Sequence, residues 1–310
     1  MPPPTASRRD LHAEITDQLI AAIEADPGDP KLPWHRTGSP LGLPVNAQTN
    51  KAYSGINVLA LWCAGIAAGF RSARWATYRQ WSMQGCQVRK GEKGSPVIFY
   101  KEYAVDADPD DQADDGRRRV AKLSVVFNAS QVDGLIDPDQ DPNNHPGSPP
   151  LPVDPIPNVE SFISSTGAAI SHGGDEAYYD RKRDRIQLPA RDSFIGTDTA
   201  SPIESFYGVV FHELGHWTGA PHRLDRVFGQ RFGDDAYAGE ELVAEIASAF
   251  LCAELGVTPT PRPDHSQYVG HWLRLLRSDK RALFTAAAKA SEATRYLQKL
   301  VGPKLSEVRE

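Results

Sequence analysis

A run of prolines between residues 137 and 157 prevents this chain from folding as one continuous domain. The segment reads DPDQDPNNHPGSPPLPVDPIP and contains eight prolines with almost no apolar periodicity. Because proline lacks an amide hydrogen and fixes its own φ angle, such a stretch neither continues a helix nor joins the interior of a sheet. We therefore predict two domains, at residues 1–136 and 158–310, joined by an extended linker at residues 137–157.

The apolar patterns on either side of the linker predict an α+β fold for the whole chain. In the first domain, apolar residues four apart between residues 8 and 25 indicate an amphipathic helix, and the strands VIFYKEY and KLSVVFN flank a polar hairpin loop at 106–119. In the second domain, EAYYDRKRDRIQLP indicates a small sheet, and capping residues and glycines delimit several helices. The predicted helices lie at 57–68, 76–83, 159–166, 202–218, 238–255 and from about 268 to the C-terminus.

The stretch HELGHWTGAPH at residues 212–222 lies on one of the predicted helices and has the spacing of a metal site. Residues four apart lie on the same helix face, so His212 and His216 can present two imidazole nitrogens to one zinc ion. Glu213 lies about 100° round the helix, where its carboxylate can reach a water molecule activated by the metal. The pattern predicts a zinc site in which Glu213 transfers a proton to the leaving group of a carbonyl substrate.

A catalytic zinc generally has three protein ligands and one open position, and the motif itself offers one candidate for the third. HELGHWTGAPH matches the HExxHxxGxxH pattern of metzincins, in which Gly219 would turn the chain and His222 would bind the metal. That fold also needs a methionine turn beneath the metal. Met1 and Met83 both lie upstream of the motif, so this support for His222 is missing.

The other candidates lie on the next predicted helix, in the stretch EELVAE at residues 240–245. Glu241 and Glu245 are four apart and share a helix face. The arrangement resembles the glutamate zincins, in which a ligand glutamate follows HExxH by a few tens of residues and a carboxylate four residues later supports the first histidine. The resemblance implies that Glu241 binds the metal and that Glu245 orients an imidazole. Glu245 and His222 remain the alternatives for the third ligand.

Basic and aromatic side chains alternate in the first domain. Between residues 31 and 103 there are 10 Lys and Arg against 2 Asp and Glu, although the whole chain has a net charge of −6. Flat rings stack on unpaired bases while Lys and Arg contact phosphates, which is typical of proteins that bind single-stranded DNA without sequence preference. The alternative is that the tryptophans form the core of a small domain. The predicted contacts are Lys51, Tyr53, Asn57, Arg74, Trp75, Tyr78, Trp81, Arg89, Lys90 and Lys93.

The cysteines and the apolar runs indicate the compartment. Cys63, Cys86 and Cys252 form no CxxC pair, which argues against a disulfide framework and against a cysteine zinc site. The apolar run at 56–70 is too short to span a membrane, and no apolar stretch typical of a secretory signal follows the N-terminus. We therefore expect a cytoplasmic protein without a membrane span.

Two sets of motifs together resemble one known family. In the front half, PWHR, NAQTNKAYSGINVLALW, WATYRQW and VRKGEKGSPVIFY look like the single-stranded-DNA-binding domain of ArdC-type antirestriction proteins and of plasmid TraC-type primases. In the rear half, FHELGHWTGAPHRLDR and EELVAEIASAF are similar to the zincin-like metallopeptidase domain that follows it in the ArdC family. The resemblance covers nearly the whole chain and carries the family's metal motif onto His212, Glu213, His216 and Glu241.

The resemblance also implies a biological role. ArdC-type proteins are carried by conjugative plasmids and other mobile elements, and the resemblance implies protection of incoming single-stranded DNA from host restriction. Zinc is the expected metal, with manganese as the alternative in the cell. The rival hypothesis is a zinc-dependent protease that cleaves a host or self protein, with the basic domain only targeting it to DNA. A fold supplies a site and not a substrate, so the family leaves a protein substrate open.

Overall fold

The computed structural model describes residues 10–25, 30–36, 42–104, 117–135, 156–197, 200–227, 236–259 and 265–302. The chain divides into two compact units, of which one comprises Met1–Leu43 with Pro146–Glu310 and the other comprises Pro44–His145. Helices and small sheets occur in both units, which confirms the predicted α+β fold. The predicted linker lies outside the described residues except for its last two positions, and most of the predicted hairpin loop also lies outside them.

The N-terminal helix belongs to a different unit from the one that the sequence predicted. Helix α1 (Leu11–Ile23) packs on the C-terminal part of the chain, where the ring of His12 lies 4.4 Å from that of Phe284. The hydroxyl of Thr16 donates a hydrogen bond of 2.8 Å to the carbonyl of Lys280. The apolar stripe of α1 is buried as predicted, but its partner lies more than 260 residues away in sequence. A local pattern shows that a face is buried and not what covers it.

The larger unit consists of helices around a small sheet. In the sheet, β9 (Arg185–Leu188) lies between β7 (Ala169–His172), which is parallel to it, and β8 (Tyr178–Asp180), which is antiparallel to it and forms an edge. No helix in the described part of the chain is long and apolar enough to cross a membrane. After α1, the helices described in this unit are α4 (Pro157–Ser165), α5 (Pro202–Thr218), α6 (Ala236–Leu255), α7 (His265–Ser278) and α8 (Ala282–Val301). Helices α2 and α3 belong to the smaller unit.

Helix α5 begins at a capping box that the sequence specifies. The Ser201 side chain accepts a hydrogen bond from the Glu204 amide, and the Glu204 carboxylate accepts one of 2.9 Å from the Ser201 amide. Both interactions satisfy amide groups that a helix start would otherwise leave without partners. The second oxygen of Glu204 accepts a bond of 3.0 Å from the amide of Thr258, which follows α6. The cap therefore fixes the start of α5 and also ties it to the end of α6.

Small residues bring α5 and α6 into close contact. The hydroxyl of Ser248 donates a hydrogen bond of 2.9 Å to the carbonyl of Gly208. About two helical turns later on α5, Gly215 lies against Ala244, and a Cβ built on Gly215 would be 3.0 Å from the Cα of Ala244. Because both helices are buried along most of their length, this contact sets how closely their polar side chains approach each other.

Replacing Gly215 with Ala is expected to lower the free energy of unfolding by about 1–3 kcal/mol, because the added methyl group overpacks the contact with Ala244. The matched control is Gly270→Ala on α7, where a Cβ would meet nothing within 4 Å. That change should be neutral or stabilise the protein by up to about 1 kcal/mol, since alanine is the better helix former. Urea unfolding followed by circular dichroism measures both variants. Equal losses in the two variants would contradict the packing argument.

In its described residues, the smaller unit, from Pro44 to His145, combines a four-stranded sheet, a two-stranded sheet of β3 (Gln87–Val88) and β6 (Val132–Asp133), and the helices α2 (Ile56–Ala68) and α3 (Tyr78–Met83). The four-stranded sheet has the order β1 (Val45–Asn46), β2 (Arg74–Ala76), β5 (Arg117–Asn128) and β4 (Ser95–Ala104). Its longest pairing is antiparallel, between β4 and β5. The amide side chain of Asn57 on α2 exchanges two hydrogen bonds of 2.8 Å with the backbone of Ile98 on β4, which fixes α2 on the sheet. The elements are β1 (Val45–Asn46), α2 (Ile56–Ala68), β2 (Arg74–Ala76), α3 (Tyr78–Met83), β3 (Gln87–Val88), β4 (Ser95–Ala104), β5 (Arg117–Asn128) and β6 (Val132–Asp133).

Candidate metal centre and nucleic-acid interface

Three of the predicted metal-binding residues meet where α5 and α6 pack together. The Nε2 atoms of His212 and His216 are 3.0 Å apart. In the carboxylate of Glu241, Oε2 lies 3.4 Å from Nε2 of His212 and Oε1 lies 3.4 Å from Nε2 of His216. Ligands of a tetrahedral zinc ion with bonds of about 2.0–2.1 Å lie about 3.3 Å from each other. One donor atom of each residue lies within 4.8 Å of the other two, so the three residues form a candidate site for one divalent ion.

Two further carboxylates lie next to the Nδ1 atoms of the two imidazole rings. The Nδ1 atom of His212 lies 3.3 Å from the carboxylate of Glu245, and the Nδ1 atom of His216 lies 3.2 Å from that of Glu240. A carboxylate at Nδ1 fixes the tautomer and directs Nε2 toward the metal position. Glu245 thus lies beside the first histidine of the motif. Glu240 was missed, although it directly precedes Glu241 in the same EELVAE stretch.

Glu240 is itself held by Arg226, in the chain segment that follows α5. The Arg226 guanidinium donates from Nε and Nη2 to the two oxygens of Glu240, at 2.8 and 2.6 Å. It also donates a hydrogen bond of 2.7 Å to the carbonyl of Gly215 and one of 3.0 Å to the hydroxyl of Thr218. A charge-assisted bidentate pair of this kind is strong and has a defined geometry. Arg226 therefore ties Glu240 to the helix that carries the two histidines.

The charges of these groups favour an ionised cluster. Burial opposes the ionisation of Glu240, but Arg226 and His216 lower its pKa to about 2. The pKa of Glu241 is likewise held well below its usual range, because its contacts with the two histidines outweigh its burial. Burial disfavours a charged His216, yet the neighbouring Glu240 and Glu241 raise its pKa to about 10. Glu240 and Glu241 therefore stay ionised, and an ionised carboxylate beside imidazole nitrogens is a ligand that attracts a cation.

The general base predicted by the motif lines an open cleft beside the three donors. Glu213 is only 1% exposed, and its carboxylate contributes to a cavity of about 410 Å³ together with His216 and Glu241. Edge strand β8 supplies one wall with Tyr178 and Tyr179, and Arg181, directly after the strand, continues it. Tyr237 and Tyr268, whose hydroxyls are 3.0 Å apart, supply another. An edge strand offers unpaired backbone groups, and a concave site with few convergent polar groups is typical of ligand binding.

His222 lies apart from the three donors. Its side chain is 60% exposed and its Nε2 lies 3.0 Å from the carboxylate of Asp184 in the turn between β8 and β9. Arg223 contacts the same carboxylate, and its guanidinium lies 3.8 Å from the centre of the Trp217 ring. These contacts tie the β8–β9 turn to the end of α5. The His222 of the metzincin pattern is thus used to hold the wall of the cleft and does not join the donor cluster.

Four of the predicted nucleic-acid contacts are buried. Trp75 and Trp81 are 2% and 0% exposed, and the indole of Trp81 donates 3.0 Å to the carbonyl of Phe127. Tyr53 and Asn57 are each 7% exposed. Their faces are covered by the smaller unit itself, so they cannot stack on bases in this conformation. The prediction is corrected for these four residues: the alternative interpretation, a core role, is the one that the structure supports.

The remaining predicted residues differ in how available they are. Lys51, Lys90 and Lys93 are exposed, and the ring of Tyr78 is 52% exposed. Arg89 is exposed too, but its guanidinium donates to the carboxylate of Glu92 at 2.8 Å and stabilises its own turn. Arg74 is half-buried.

An exposed ring that the sequence analysis missed lies on the β4–β5 pair. Phe99 is 43% exposed and lies directly across from the exposed Lys122. Side chains opposite each other on paired strands are about 5 Å apart at Cβ. A ring beside an amine has the chemistry that single-stranded DNA binding uses. The only signal in the sequence was an aromatic residue in a strand, which does not show whether its side chain faces the core or the solvent.

The fold and the donor cluster together define a class of protein, a two-unit chain with a zincin-like metallopeptidase domain. Residues 157–289 match the family model described as zincin-like metallopeptidase, and residues 9–129 match that of the N-terminal domain of anti-restriction factor ArdC. The chain is 38% identical to the antirestriction ArdC protein from the R388 plasmid, and the metal-free crystal structure of that protein matches it with a TM-score of 0.74 over 94% of this chain and 98% of that one. The chain belongs to the ArdC family of antirestriction proteins, which confirms the resemblance found in the sequence.

Other relatives extend the comparison. The Mn(II)-bound crystal structure of the same R388 protein matches with a TM-score of 0.73 at 37% identity, over 95% of this chain and 99% of that one. A protein of Sinorhizobium fredii described as uncharacterized protein y4eC is 42% identical over 93% of this chain and 91% of its own length. The DNA primase TraC of Escherichia coli is 35% identical over 92% of this chain, which spans only 27% of the primase.

Proposed function

We propose that this protein binds single-stranded DNA without sequence specificity through the unit at Pro44–His145 and thereby protects DNA that enters the cell from restriction. The observation that carries the proposal is the membership of the ArdC family, to whose antirestriction protein nearly the whole chain aligns. The basic composition of residues 31–103 is consistent with a polyanionic partner. An origin on a conjugative plasmid or another mobile element and a cytoplasmic location, where buried cysteines stay reduced, are part of the same proposal.

Within the smaller unit we assign the contact with bases to the exposed rings and the contact with phosphates to the exposed lysines. Phe99 and Tyr78 expose ring faces, and Lys122, Lys90 and Lys93 are exposed on the same unit. Stacking tolerates any base because every base has a π face, whereas phosphate contacts depend on salt. This assignment replaces the buried Trp75 and Trp81 of the sequence-based prediction.

Replacing Phe99 with Ala is expected to weaken binding of a labelled single-stranded oligonucleotide by about 5- to 150-fold, since stacking on one base contributes about 1–3 kcal/mol. The matched control is Val125→Ala, which removes an exposed apolar side chain from the same strand pair without removing a ring. The affinity of the control should stay within about twofold of that of the parent.

Lys90→Glu with Lys93→Glu should weaken binding and reduce its dependence on salt. No binding by the parent at low salt would overturn the DNA-binding proposal.

We also propose that His212, His216 and Glu241 bind one zinc ion. The donor set fits, because two imidazoles and one carboxylate are a known set for catalytic zinc and their spacing suits one ion. Manganese, the metal in the R388 protein's structure, is the alternative that metal analysis of the purified protein would distinguish. An ion bound here would polarise a carbonyl group and supply a nucleophile at neutral pH.

The side chains around this site support peptide hydrolysis as a second candidate function. Glu213 faces the cleft, where its carboxylate can accept a proton from the attacking water and pass it to the leaving amine. Burial, the Tyr268 hydroxyl and the charge of Glu241 all raise the pKa of Tyr237, so its hydroxyl stays protonated and can donate to a carbonyl oxygen. Backbone groups of edge strand β8 can align an extended peptide. The substrate would be a host or self protein, with the smaller unit delivering the site to DNA.

A further inference from the structure

A short segment near the N-terminus reaches the interior of the unit that holds the three metal-binding donors. Residues 33–36 form a 3-10 turn, PWHR, and Leu32, Trp34 and His35 are buried. This segment precedes Pro44–His145 in the chain but belongs to the compact unit that contains α5 and α6. The family model for the ArdC N-terminal domain also includes it, since that match begins at residue 9. Sequence family and structural unit therefore divide the chain at different places.

His35 contacts the carboxylate that supports the first metal-binding histidine. Its Nε2 atom lies 3.0 Å from Oε1 of Glu245, within hydrogen-bond distance, and the two side chains are only 2% and 5% exposed. The other oxygen of Glu245, Oε2, lies 3.3 Å from Nδ1 of His212. A buried carboxylate needs partners for both oxygens, and a missing partner is costly in a site without water. His35 occupies Oε1, which leaves Oε2 directed at His212.

The second histidine is supported in the same way from another part of the chain. There, Glu240 contacts Nδ1 of His216 and is fixed by Arg226. Each metal-binding imidazole thus contacts a glutamate of α6, and each glutamate is held by a basic side chain from outside α5 and α6. Arg226 follows the HExxH motif by ten residues, whereas His35 lies 177 residues before His212.

We infer that His35 is a positioning residue of the metal centre, which acts through Glu245 to hold the ring of His212. The inference rests on the proposed metal site. Without the His35 donor, Glu245 can rotate and the Nε2 atom of His212 loses its fixed direction toward the other two donors. Residues that orient a metal ligand typically contribute 10- to 100-fold to metal affinity. The segment before the DNA-binding unit is thereby part of the metal site in the other unit.

The inference predicts that His35→Ala lowers the affinity of the full-length protein for Zn²⁺ by about tenfold or more, measured by competition with a chromophoric chelator. His35→Gln should bind within about twofold of the parent, because the Gln amide nitrogen can take the place of Nε2 as the donor. His12→Ala removes a histidine on α1 whose ring lies beside Asp10 and Phe284, and this variant should leave the affinity unchanged. An unchanged affinity in His35→Ala would overturn the inference.

A double-mutant cycle separates positioning from a general loss of stability. If His35 acts through Glu245, then His35→Ala should have little further effect on Zn²⁺ affinity in a Glu245→Ala background. An equal loss in both backgrounds would contradict the proposed route. If His35→Ala does not fold, His35→Asn provides the comparison with His35→Gln, because its shorter amide cannot reach Glu245 and should weaken Zn²⁺ binding. A parent protein that binds no Zn²⁺ would instead refute the metal site itself.

Discussion

Replacing Glu213 with Gln is expected to lower any peptide hydrolysis by the protein by about 10²- to 10⁴-fold, the range that a general acid–base group contributes. Glutamine keeps the shape of the side chain but cannot accept a proton, and Glu213 is almost fully buried at the wall of the cleft. Metal content and DNA affinity should stay at the level of the parent, since Glu213 is outside the donor cluster and outside the unit at Pro44–His145, to which we assign the proposed DNA binding. Labelled casein, with and without single-stranded DNA, serves as the substrate.

The same variant distinguishes the two candidate functions in cells. Transfer of a plasmid into a restricting host measures protection by the parent, by Glu213→Gln and by a matched control, Glu292→Gln, which makes the same chemical change at an exposed site on α8. If Glu213→Gln protects as well as the parent, the hydrolytic site is dispensable and the protein acts by binding DNA. If protection is lost while DNA affinity and metal content are intact, cleavage of a protein is the function. Loss in both variants would point to an effect of expression or folding.

Replacing Glu241 with Ala is expected to lower Zn²⁺ affinity by more than about 100-fold, beyond the range typical of residues that only orient ligands. One carboxylate oxygen of Glu241 lies 3.4 Å from Nε2 of His212, and the other lies 3.4 Å from Nε2 of His216. Glu245→Gln should lower the affinity by about 10- to 100-fold, because Glu245 contacts Nδ1 of His212 rather than the ion. His222→Ala should leave it unchanged, since that side chain is exposed and contacts Asp184. A Zn²⁺ titration by calorimetry or chelator competition measures all three.

The thermal stability of these variants provides an independent readout. A ligand that binds only the folded state stabilises it by about 2.7 kcal/mol at 100 times its Kd. The rise in Tm on adding Zn²⁺ should therefore disappear in Glu241→Ala and persist in His222→Ala. The reverse result, with His222 essential and Glu241 dispensable, would restore the metzincin pattern that the motif matches literally. Equal Tm values for all the metal-free proteins would show that the substitutions act on binding rather than on folding.

The sequence predicted those parts of the site that lie within one helix. The side chains of His212 and His216 share a face because a helix repeats every 3.6 residues, and the capping box at Ser201 fixes where that helix starts. Glu241 and Glu245 follow the same rule on α6. Only the family resemblance indicated that Glu241 is the expected metal ligand and Glu245 the expected supporting residue. The spacing of residues along one regular element needs no knowledge of the remainder of the chain.

What depended on distant parts of the chain was not predicted. Glu240 and Arg226 come together only because the segment after α5 folds back onto α6, and His35 reaches Glu245 across 210 positions. The ring of Trp81 is buried under β5 whereas Phe99 on β4 is exposed, although both are aromatic residues in a basic region. Strand pairing decides which face of a sheet is covered, and a one-residue change of register would reverse it.

The sequence by itself determined the two-domain α+β class, the family and the positions of the helices and of the HExxH motif, because these depend on local periodicity and on motifs within short segments. The tertiary structure decided which donors converge, which rings face solvent and to which unit the first helix belongs. It also decided that α1 packs on α7 and α8 and that the PWHR turn contacts α6. Those outcomes depend on contacts between residues far apart in the chain, whose free energies are realised only when the whole core packs.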